Sequence, residues 1–190
     1  MKNKPEIISR RNISCGNWIN LGIIDYRDSR SETRSWEYVS RNKCSGAVAV
    51  IAVTKQTNSL ILIKQYRPPA EKYTIEFPAG LIENGDSAEE TAIRELYEET
   101  GYIGKIKKIT PPAYSSPGLT SETISLAVME IDEYSEENRN PVQHLEESED
   151  IEVLNIKISD LGEFIERSVK SGCGIDAKIM TFLQAQQLLT

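Results

Sequence analysis

Carboxylates are concentrated in one short segment of the chain, residues 80–102. This segment holds seven acidic residues and a single basic residue, Arg94. If it is helical, Glu95, Glu98 and Glu99 lie within an arc of roughly 100°. Two carboxylates about 5 Å apart repel by about 3 kcal/mol at an effective dielectric constant of about 20. A divalent cation would offset this repulsion, and carboxylate oxygens favour Mg2+, with Mn2+ as the alternative ion.

An exposed acidic helix face is the other interpretation of this segment. Such faces usually carry Lys or Arg four residues away from an acid. Between Asp86 and Thr100 the sequence has no Lys, and Arg94 is its one Arg. The charge pattern therefore favours a metal site, while both interpretations remain open at this point.

The residues flanking the acids predict a strand, a tight loop and then a helix. Asp86 and Ser87 both suit the helix N-cap, and an acid follows each of them three positions later, which completes a capping box in either register. Gly101 suits the left-handed position that ends a helix. Residues 78–80 (Pro-Ala-Gly) should break the preceding strand and bring backbone close to the acids.

Strand patterns occupy much of the remaining chain. Polar turn residues join strand-like residues 17–27 and 34–42, which predicts an N-terminal hairpin. Further strands are predicted at residues 47–54, 60–66, 73–77, 103–109, 124–131 and 151–158.

Two further helices follow these strands. Residues 160–169 are predicted to be helical with Ser159 as the N-cap, and residues 177–189 with Asp176 as the N-cap. Strands with interspersed helices predict an α/β or α+β sandwich.

Composition and charge limit the classes of protein to consider. The chain has 190 residues, of which 39% are hydrophobic and 27% charged, as expected for one soluble globular domain with a small appendage. Its net charge of -7 argues against nucleic-acid binding. Residues 1–45 are nevertheless rich in Lys and Arg and are the better candidate to meet a phosphate, whereas residues 132–152 are strongly acidic.

The sequence also suggests a cellular compartment. No apolar run reaches the roughly 18 residues of a transmembrane helix, and the first twelve residues do not resemble a secretory signal. Three cysteines without metal-type spacing predict free thiols in a reducing cytoplasm. The single histidine, His144, excludes a His-rich metal centre.

The acidic segment resembles a Nudix box, the signature G-x5-E-x7-R-E-U-x-E-E-x-G-U in which U is aliphatic. The matching residues are Gly80, Arg94, Glu95, Leu96, Glu98, Glu99 and Gly101. Asp86 stands where the pattern has Glu, and Tyr102 where it has an aliphatic residue. A match of this length is far more specific than a short glycine motif.

Other segments resemble the ADP-ribose pyrophosphatase subfamily of Nudix hydrolases, and the resemblance covers roughly residues 8–190. They are residues 16–18, 34–37, 65–69 and 76–81, and Pro117, fifteen positions after the box. The resemblance implies a Nudix-like α/β/α sandwich with a mixed sheet. It also implies a small N-terminal β-hairpin subdomain (residues 1–45) for dimerisation and base binding, beside a hydrolase domain (residues 46–190).

The resemblance further implies Mg2+-dependent hydrolysis of a diphosphate. Glu95 and Glu99 match metal ligands, helped by Glu98 and by the carbonyl of Ala79, and Arg94 matches a residue that orients carboxylates.

An acidic loop at residues 145–150 matches a mobile loop of the subfamily. Within it Glu147 corresponds to the general base and Glu149 to a metal ligand. The neighbouring acids Glu146 and Asp150 are the alternatives for these two roles.

The residues implied for substrate binding lie outside the box: Trp18, Trp36, Glu37, Arg41, Arg67 and Pro117. An aromatic pair suits a flat adenine base, whereas core packing is the alternative for a tryptophan on a strand. Glu37 would accept a hydrogen bond from the adenine amino group. The two arginines would pair with the diphosphate or terminal ribose, or else form surface ion pairs.

The expected activity is hydrolysis of ADP-ribose to AMP and ribose 5-phosphate. A second possibility is another nucleoside diphosphate sugar, such as ADP-glucose or GDP-mannose. A third is a module that binds ADP-ribose without cleaving it, which the presence of all three glutamates of the box argues against. The subfamily resemblance also implies a homodimer with swapped N-terminal strands. The net charge and the lack of a long apolar run predict no nucleic-acid and no membrane partner.

Overall fold

A computed structural model describes residues 3–189 of the chain. Within these residues there are twelve β-strands and three α-helices. The strands are β1 (Glu6–Cys15), β2 (Ile19–Arg27), β3 (Thr33–Arg41), β4 (Cys44–Thr54), β5 (Ser59–Arg67), β6 (Lys72–Glu76), β7 (Ala79–Glu83), β8 (Lys105–Ile109), β9 (Ala113–Tyr114), β10 (Thr123–Ile131), β11 (Ile151–Lys157) and β12 (Gly174–Ile175). The helices are α1 (Ala88–Thr100), α2 (Leu161–Lys170) and α3 (Ala177–Leu189).

The N-terminal region is a separate antiparallel sheet in the order β1-β2-β3. The predicted hairpin is confirmed by the pairing of β2 with β3, which runs from Ile19 opposite Arg41 to Arg27 opposite Thr33. Strand β1 was not predicted. All of its residues are exposed, so neither face imposes the alternation of apolar and polar residues by which a strand is detected.

The second sheet is mixed, as predicted, and β4 lies at its centre. Strand β4 runs parallel to β10 on one side and antiparallel to β7 and β5 on the other. Strand β7 pairs with the first half of β4 and β5 with its end, so the two strands diverge near Val50. There the N–H of Val50 donates to the carbonyl of Pro78 over 2.7 Å. This divergence brings the start of β7 to the middle of the sheet.

Helices cover both faces of this sheet, which confirms the α/β/α sandwich. Helix α1 packs on one face through a buried cluster that includes Val48, Ala92, Leu96 and Met129. Helices α2 and α3 pack on the other face, where Leu161, Ile165, Ile179 and Leu183 meet strand residues of β4, β5 and β6.

Strand β7 corrects the prediction of a tight loop between strand and helix. Pro78 does interrupt the chain, because it has no N–H to donate. Pairing resumes at once, with Ala79 opposite Ala49 and Gly80 opposite Val48. The two-residue strands β9 and β12 were also not predicted, since they are too short to show periodicity.

The predicted helix caps have mixed outcomes. Ser87, rather than Asp86, is the N-cap of α1, and it forms a capping box with Glu90. The prediction of Ser159 as a cap is wrong: Asp160 occupies the N-cap of α2, and the Ser159 hydroxyl donates to the Asp160 carboxylate instead. The Asp176 cap is confirmed, because its carboxylate accepts the N–H of Lys178 over 2.7 Å.

The two sheets are joined by loop 115–121, which runs from β9 to β10. The N–H of Val39 donates to the carbonyl of Leu119, and the N–H of Ser121 donates to the carbonyl of Val39. The predicted domain boundary at residue 45 stays a prediction. None of the helices in residues 3–189 has both the length and the apolar character needed to cross a membrane.

Candidate active site

The two most deeply placed acids of the chain's acidic segment are Glu95 and Glu99 on α1. Their exposed fractions are 8% and 3%. Their four-residue spacing places both side chains on one face of the helix, next to strand β7. The adjacent stripe, with Ala92 and Leu96, packs in the core and fixes the rotation of the helix. Glutamates this buried are unusual unless they are paired or hold an ion.

Strand β7 meets α1 at these two carboxylates. The N–H of Ala79 donates to Oε2 of Glu99 over 2.9 Å. A Cβ on Gly80 would lie 1.9 Å from Oε1 of Glu95, which is far inside van der Waals contact. Gly80 is therefore required so that the Glu95 carboxylate can lie against the backbone of β7. The predicted approach of residues 78–80 to the acids is confirmed.

Arg94 joins the carboxylates of Glu95 and Glu98. Its Nη2 lies 2.9 Å from Oε1 of Glu95, and its Nη1 lies 2.9 Å from Oε2 of Glu98. One guanidinium thus holds a buried and a half-exposed carboxylate in fixed orientations. The contact that Glu98 makes in this arrangement is with Arg94, and its side chain is 35% exposed.

The protonation of the buried pair is displaced from normal. Burial raises the pKa of Glu95 to about 6, with the charges of Glu98 and Glu149 adding to it and Arg94 opposing it. Burial likewise raises the pKa of Glu99 to about 8, with Glu95 and Glu149 adding to it and the Ala79 N–H opposing it. The site is therefore short of positive charge when both acids are ionised.

This donor set fits a divalent cation such as Mg2+. Its ligands are hard oxygens, and a cation would relieve the charge that burial and mutual repulsion make unfavourable. Among the side chains of residues 3–189, no three acids, histidines or cysteines are already gathered closely enough to hold an ion. Glu98 is turned to Arg94 and Glu149 to its own loop, so Glu95 and Glu99 are the two acids in place.

The raised pKa values predict that Mg2+ stabilises the protein more at high pH than at low pH. Because both folded-state pKa values exceed the ordinary 4.5, the contribution of these two acids to the stability of the metal-free protein is greatest below pH 4.5. That contribution should fall by up to about 1.4 kcal/mol per pH unit for each acid, as far as about pH 6 for Glu95 and about pH 8 for Glu99. Mg2+ competes with these protons. Melting with Mg2+ or with EDTA should show a larger Mg2+ shift at pH 8 than at pH 5, and equal shifts would contradict the assignment.

The acidic loop lies beside the end of α1. Glu149 is half-buried, and its Oε2 accepts the N–H of Glu146 over 2.9 Å. Its charge raises the pKa of both Glu95 and Glu99, so it belongs to the same electrostatic environment. Glu147 is exposed. The structure thus brings Glu149, rather than Glu147, towards the buried pair.

Arg67 reaches the site from β5 and is held by Glu76, for which the sequence predicted no role. Its Nε and Nη2 each donate over 2.8 Å to one oxygen of Glu76, which is 8% exposed. The hydroxyl of Thr74 donates to the same carboxylate. Glu76 is the one acid in the apolar strand 73–77, and a lone acid in a buried strand is the signal that could have revealed it.

Both tryptophans are exposed, so neither packs in the core of this chain. Trp18 is 76% exposed and Trp36 is 51% exposed. The indole Nε1 of Trp36 donates to the carbonyl of Gly118 over 3.0 Å, which places Trp36 beside Pro117 in loop 115–121.

Basic residues lie near Trp18. Arg41, on β3, forms an ion pair with Glu122. A cavity of about 410 Å3 lies between the N-terminal sheet and β7, and its lining includes Trp18, Arg41, Lys43 and Glu83. Glu37 lies exposed on β3. The structure thus gathers Trp18 and Arg41 at one opening and places Arg67 at the carboxylates.

Comparison with known proteins agrees with this geometry. Residues 45–169 match the family described as NUDIX domain. The chain belongs to the Nudix family. It is 37% identical to an ADP-ribose pyrophosphatase of Bacillus subtilis, over 97% of this chain and 94% of that protein. It is 34% identical to the ADP-sugar pyrophosphatase of Mus musculus, over 94% of this chain and 86% of that protein.

A solved structure shares the fold. A chain described as an ADP compounds hydrolase superimposes with a TM-score of 0.66 and 22% sequence identity. The match covers 87% of this chain and 85% of the solved one. The α/β/α arrangement of this chain is therefore shared with a solved structure.

Proposed function

We propose that this protein hydrolyses ADP-ribose in the presence of Mg2+. Water adds across the phosphoanhydride, so that one phosphate leaves as AMP and the other as ribose 5-phosphate. The observation that carries the proposal is the buried pair Glu95 and Glu99, held against the backbone of Ala79 and Gly80. The names of the relatives, ADP-ribose pyrophosphatase and ADP-sugar pyrophosphatase, support the substrate class.

Each residue of the site has a proposed role in this reaction. Bound Mg2+ would neutralise the diphosphate and lower the pKa of a water molecule. Glu95, Glu99, Glu149 and the Ala79 carbonyl would hold it. Mn2+ has the same ligand preference and could replace Mg2+.

The acidic loop would supply the proton acceptor, and Arg94 on α1 would orient the carboxylates. Glu147 is exposed on the loop and would accept the proton of the attacking water once the loop closes, which fits its freedom from other contacts in the chain's interior. Arg94 would keep Glu95 and Glu98 oriented, as its two 2.9 Å contacts indicate. A closed loop would also exclude bulk water from the diphosphate.

The substrate would extend from the carboxylates to the N-terminal sheet. Adenine would stack on Trp18 and Trp36, with Glu37 accepting from its amino group. Loop 115–121, which carries Pro117, would define the orientation of Trp36 through the bond to Gly118. Arg41 and Arg67 would bind the diphosphate or terminal ribose, exchanging their carboxylate partners for phosphate oxygens.

Trp18→Ala should raise KM for ADP-ribose by about tenfold or more, with kcat little changed. Loss of one base-stacking surface is worth about 1–3 kcal/mol, and binding shared by ground and transition state appears in KM. Steady-state kinetics would measure the effect. Tyr134→Ala removes another exposed aromatic ring, remote from the tryptophans, and should leave KM unchanged. An unchanged KM in Trp18→Ala would remove Trp18 from the base site.

We also propose a homodimer in which the N-terminal strands swap, so that each site contains residues of both chains. Strand β1 is exposed along its whole length and presents apolar residues, among them Ile7, Ile8 and Ile13. A second copy would cover such a surface. Sedimentation equilibrium would test the proposal through a species of twice the 21.4 kDa chain mass.

A cytoplasmic location also stays a proposal, consistent with the free thiols of Cys15, Cys44 and Cys173.

The decisive experiment is product analysis with Mg2+ and a substrate panel. The panel is ADP-ribose, ADP-glucose, GDP-mannose, NADH, diadenosine polyphosphates and 8-oxo-dGTP. Fastest release of AMP and ribose 5-phosphate from ADP-ribose would support the proposal. Preference for another sugar nucleotide would keep the chemistry and overturn the specificity, and binding of ADP-ribose without turnover of any substrate would indicate a sensing module.

A further inference from the structure

The chain crosses the C-terminal end of α1 just before it enters the acidic loop 145–150. We call residues 142–144, which make this crossing, the loop stem. The N–H of His144 donates to the carbonyl of Glu98 over 2.8 Å. The imidazole ring of His144 stacks on Tyr97, with ring centroids 4.6 Å apart and an angle of 23° between the planes. The stem therefore contacts the helix through both backbone and side chain.

The side-chain amide of Gln143 contacts two segments at once. Its Nε2 donates to the carbonyl of Glu99 over 2.7 Å and to the carbonyl of Ile151 over 3.0 Å. Ile151 is the first residue of β11 and therefore the exit of the acidic loop. A carbonyl can only accept, so the amide nitrogen must face both partners. A single side chain thus ties together the loop entry, the loop exit and the helix.

The helix end needs these donors. The last four carbonyls of an α-helix have no intrahelical partner. Those of Glu98 and Glu99 obtain one from the stem, and both residues belong to the acidic face of the site. The hydrogen bonds from the loop stem therefore stabilise the same helix turn that carries the proposed metal ligands.

Gly101 lets the stem approach this closely. Its φ of 75° suits glycine, and a Cβ there would lie 2.4 Å from the nitrogen of Val142. Backbone at this distance cannot yield to a side chain without moving the stem. The stem and the helix end are consequently packed backbone to backbone.

We propose that Gln143 is a positioning residue, which sets the acidic loop in register with α1 so that Glu149 can complete a cation site with Glu95 and Glu99. The inference rests on the proposed metal-dependent hydrolysis. Glu149 lies six residues beyond Gln143 and is already half-buried within the field of the other two acids. If the amide of Gln143 is lost, the loop keeps its stacking contact at His144 but loses the link between its two ends.

The first test is a titration of the full chain with Mn2+ alone, without any sugar nucleotide. Electron paramagnetic resonance measures the bound Mn2+. Gln143→Leu keeps the bulk of the side chain and removes both donors. We expect Mn2+ affinity to fall by about tenfold or more, as for other partners that orient metal ligands. Gln184→Leu makes the same chemical change on the exposed face of α3 and should bind Mn2+ as the wild type does.

Turnover gives the second test. With saturating ADP-ribose and Mg2+, Gln143→Leu should lower kcat and raise the Mg2+ concentration needed for half-maximal activity, with KM for the nucleotide within about threefold of wild type. A purely structural role would lower Tm without moving the Mg2+ requirement. If Gln143→Leu does not fold, Gln143→Asn keeps the amide on a shorter side chain and should show a partial loss in the same direction.

The outcomes separate this inference from the proposed function. Wild-type Mn2+ affinity and wild-type Mg2+ requirement in a folded Gln143 variant would overturn the positioning role. Absence of turnover by the wild type across the substrate panel would overturn the proposed function instead. The Mn2+ experiment would still report on Gln143 in that case, because it needs no substrate.

Discussion

Glu99→Gln should lower kcat by about 10^3-fold while the protein keeps its fold. The substitution preserves the shape of the side chain, and the amide oxygen can still accept the N–H of Ala79, now 2.9 Å from Glu99. What is lost is an anionic oxygen for the cation. Metal-derived stabilisation of the transition state is worth several kcal/mol, and about 4 kcal/mol corresponds to about 10^3-fold in rate. Steady-state turnover with Mg2+ would measure the loss.

The same variant should be more stable than the wild type at high pH when no metal is bound, although its kcat is lower. Because burial raises the pKa of Glu99 to about 8, its ionisation destabilises the fold as the pH rises from about 4.5 to about 8. Removing that ionisation should raise Tm in EDTA at pH 8 and have little effect at pH 4.5. Glu89→Gln, an exposed acid in the first turn of α1, is the matched control and should change neither property. Near-normal turnover by Glu99→Gln would remove Glu99 from the metal site.

Gly80→Ala should be nearly as damaging, although it adds a single methyl group. The new Cβ would lie 1.9 Å from Oε1 and 2.1 Å from Cδ of Glu95, so this carboxylate must leave its position. Glu95 cannot move freely, because Arg94 holds it at 2.9 Å. We expect about a 10^2-fold loss in kcat or more and a destabilisation of about 1–3 kcal/mol from overpacking.

The control for this substitution is Gly162→Ala on α2. There the nearest atoms to an added Cβ lie at 3.9 and 4.0 Å, which is ordinary contact, and the site is on the opposite face of the sheet. Activity of Gly162→Ala should match the wild type. Turnover by Gly80→Ala equal to that of Gly162→Ala would show that Glu95 can work from another position, and would contradict the tight packing of β7 against α1.

Local signals allowed much of this fold to be predicted from the sequence. The capping pattern and Gly101 define α1 without tertiary information, and the structure has the helix at Ala88–Thr100. The strongly apolar strands at the centre of the sheet were found for the same reason. Strands β1 and β7 were missed because pairing, not composition, makes them strands: one is exposed on all sides, and the other follows directly on Pro78.

The site was predictable where it depends on one helix and less so where it depends on contacts between distant segments. The convergence of Glu95 and Glu99 follows from helical spacing. Three other contacts do not follow from helical spacing, because each joins elements that the sequence does not place side by side. They are the bidentate ion pair of Arg67 with Glu76, the hydrogen bond from Trp36 to Gly118 and the hydrogen bonds of Gln143. The choice of Glu147 and Glu149 over the neighbouring acids Glu146 and Asp150 likewise depends on which side chains the packing turns inward.

The parallel pairing of β4 with β10 has a consequence for how the protein folds. Residues 47–54 of β4 pair with residues 124–131 of β10, so more than seventy intervening residues must be brought together before this pairing forms. Closing so long a loop costs entropy before any contact repays it, and non-local topologies fold slowly. Helix α1 lies within that intervening segment and docks on both strands. The docking of the acidic helix on both strands therefore depends on closing this long segment, although the contacts of Glu95 and Glu99 with β7 are local in sequence.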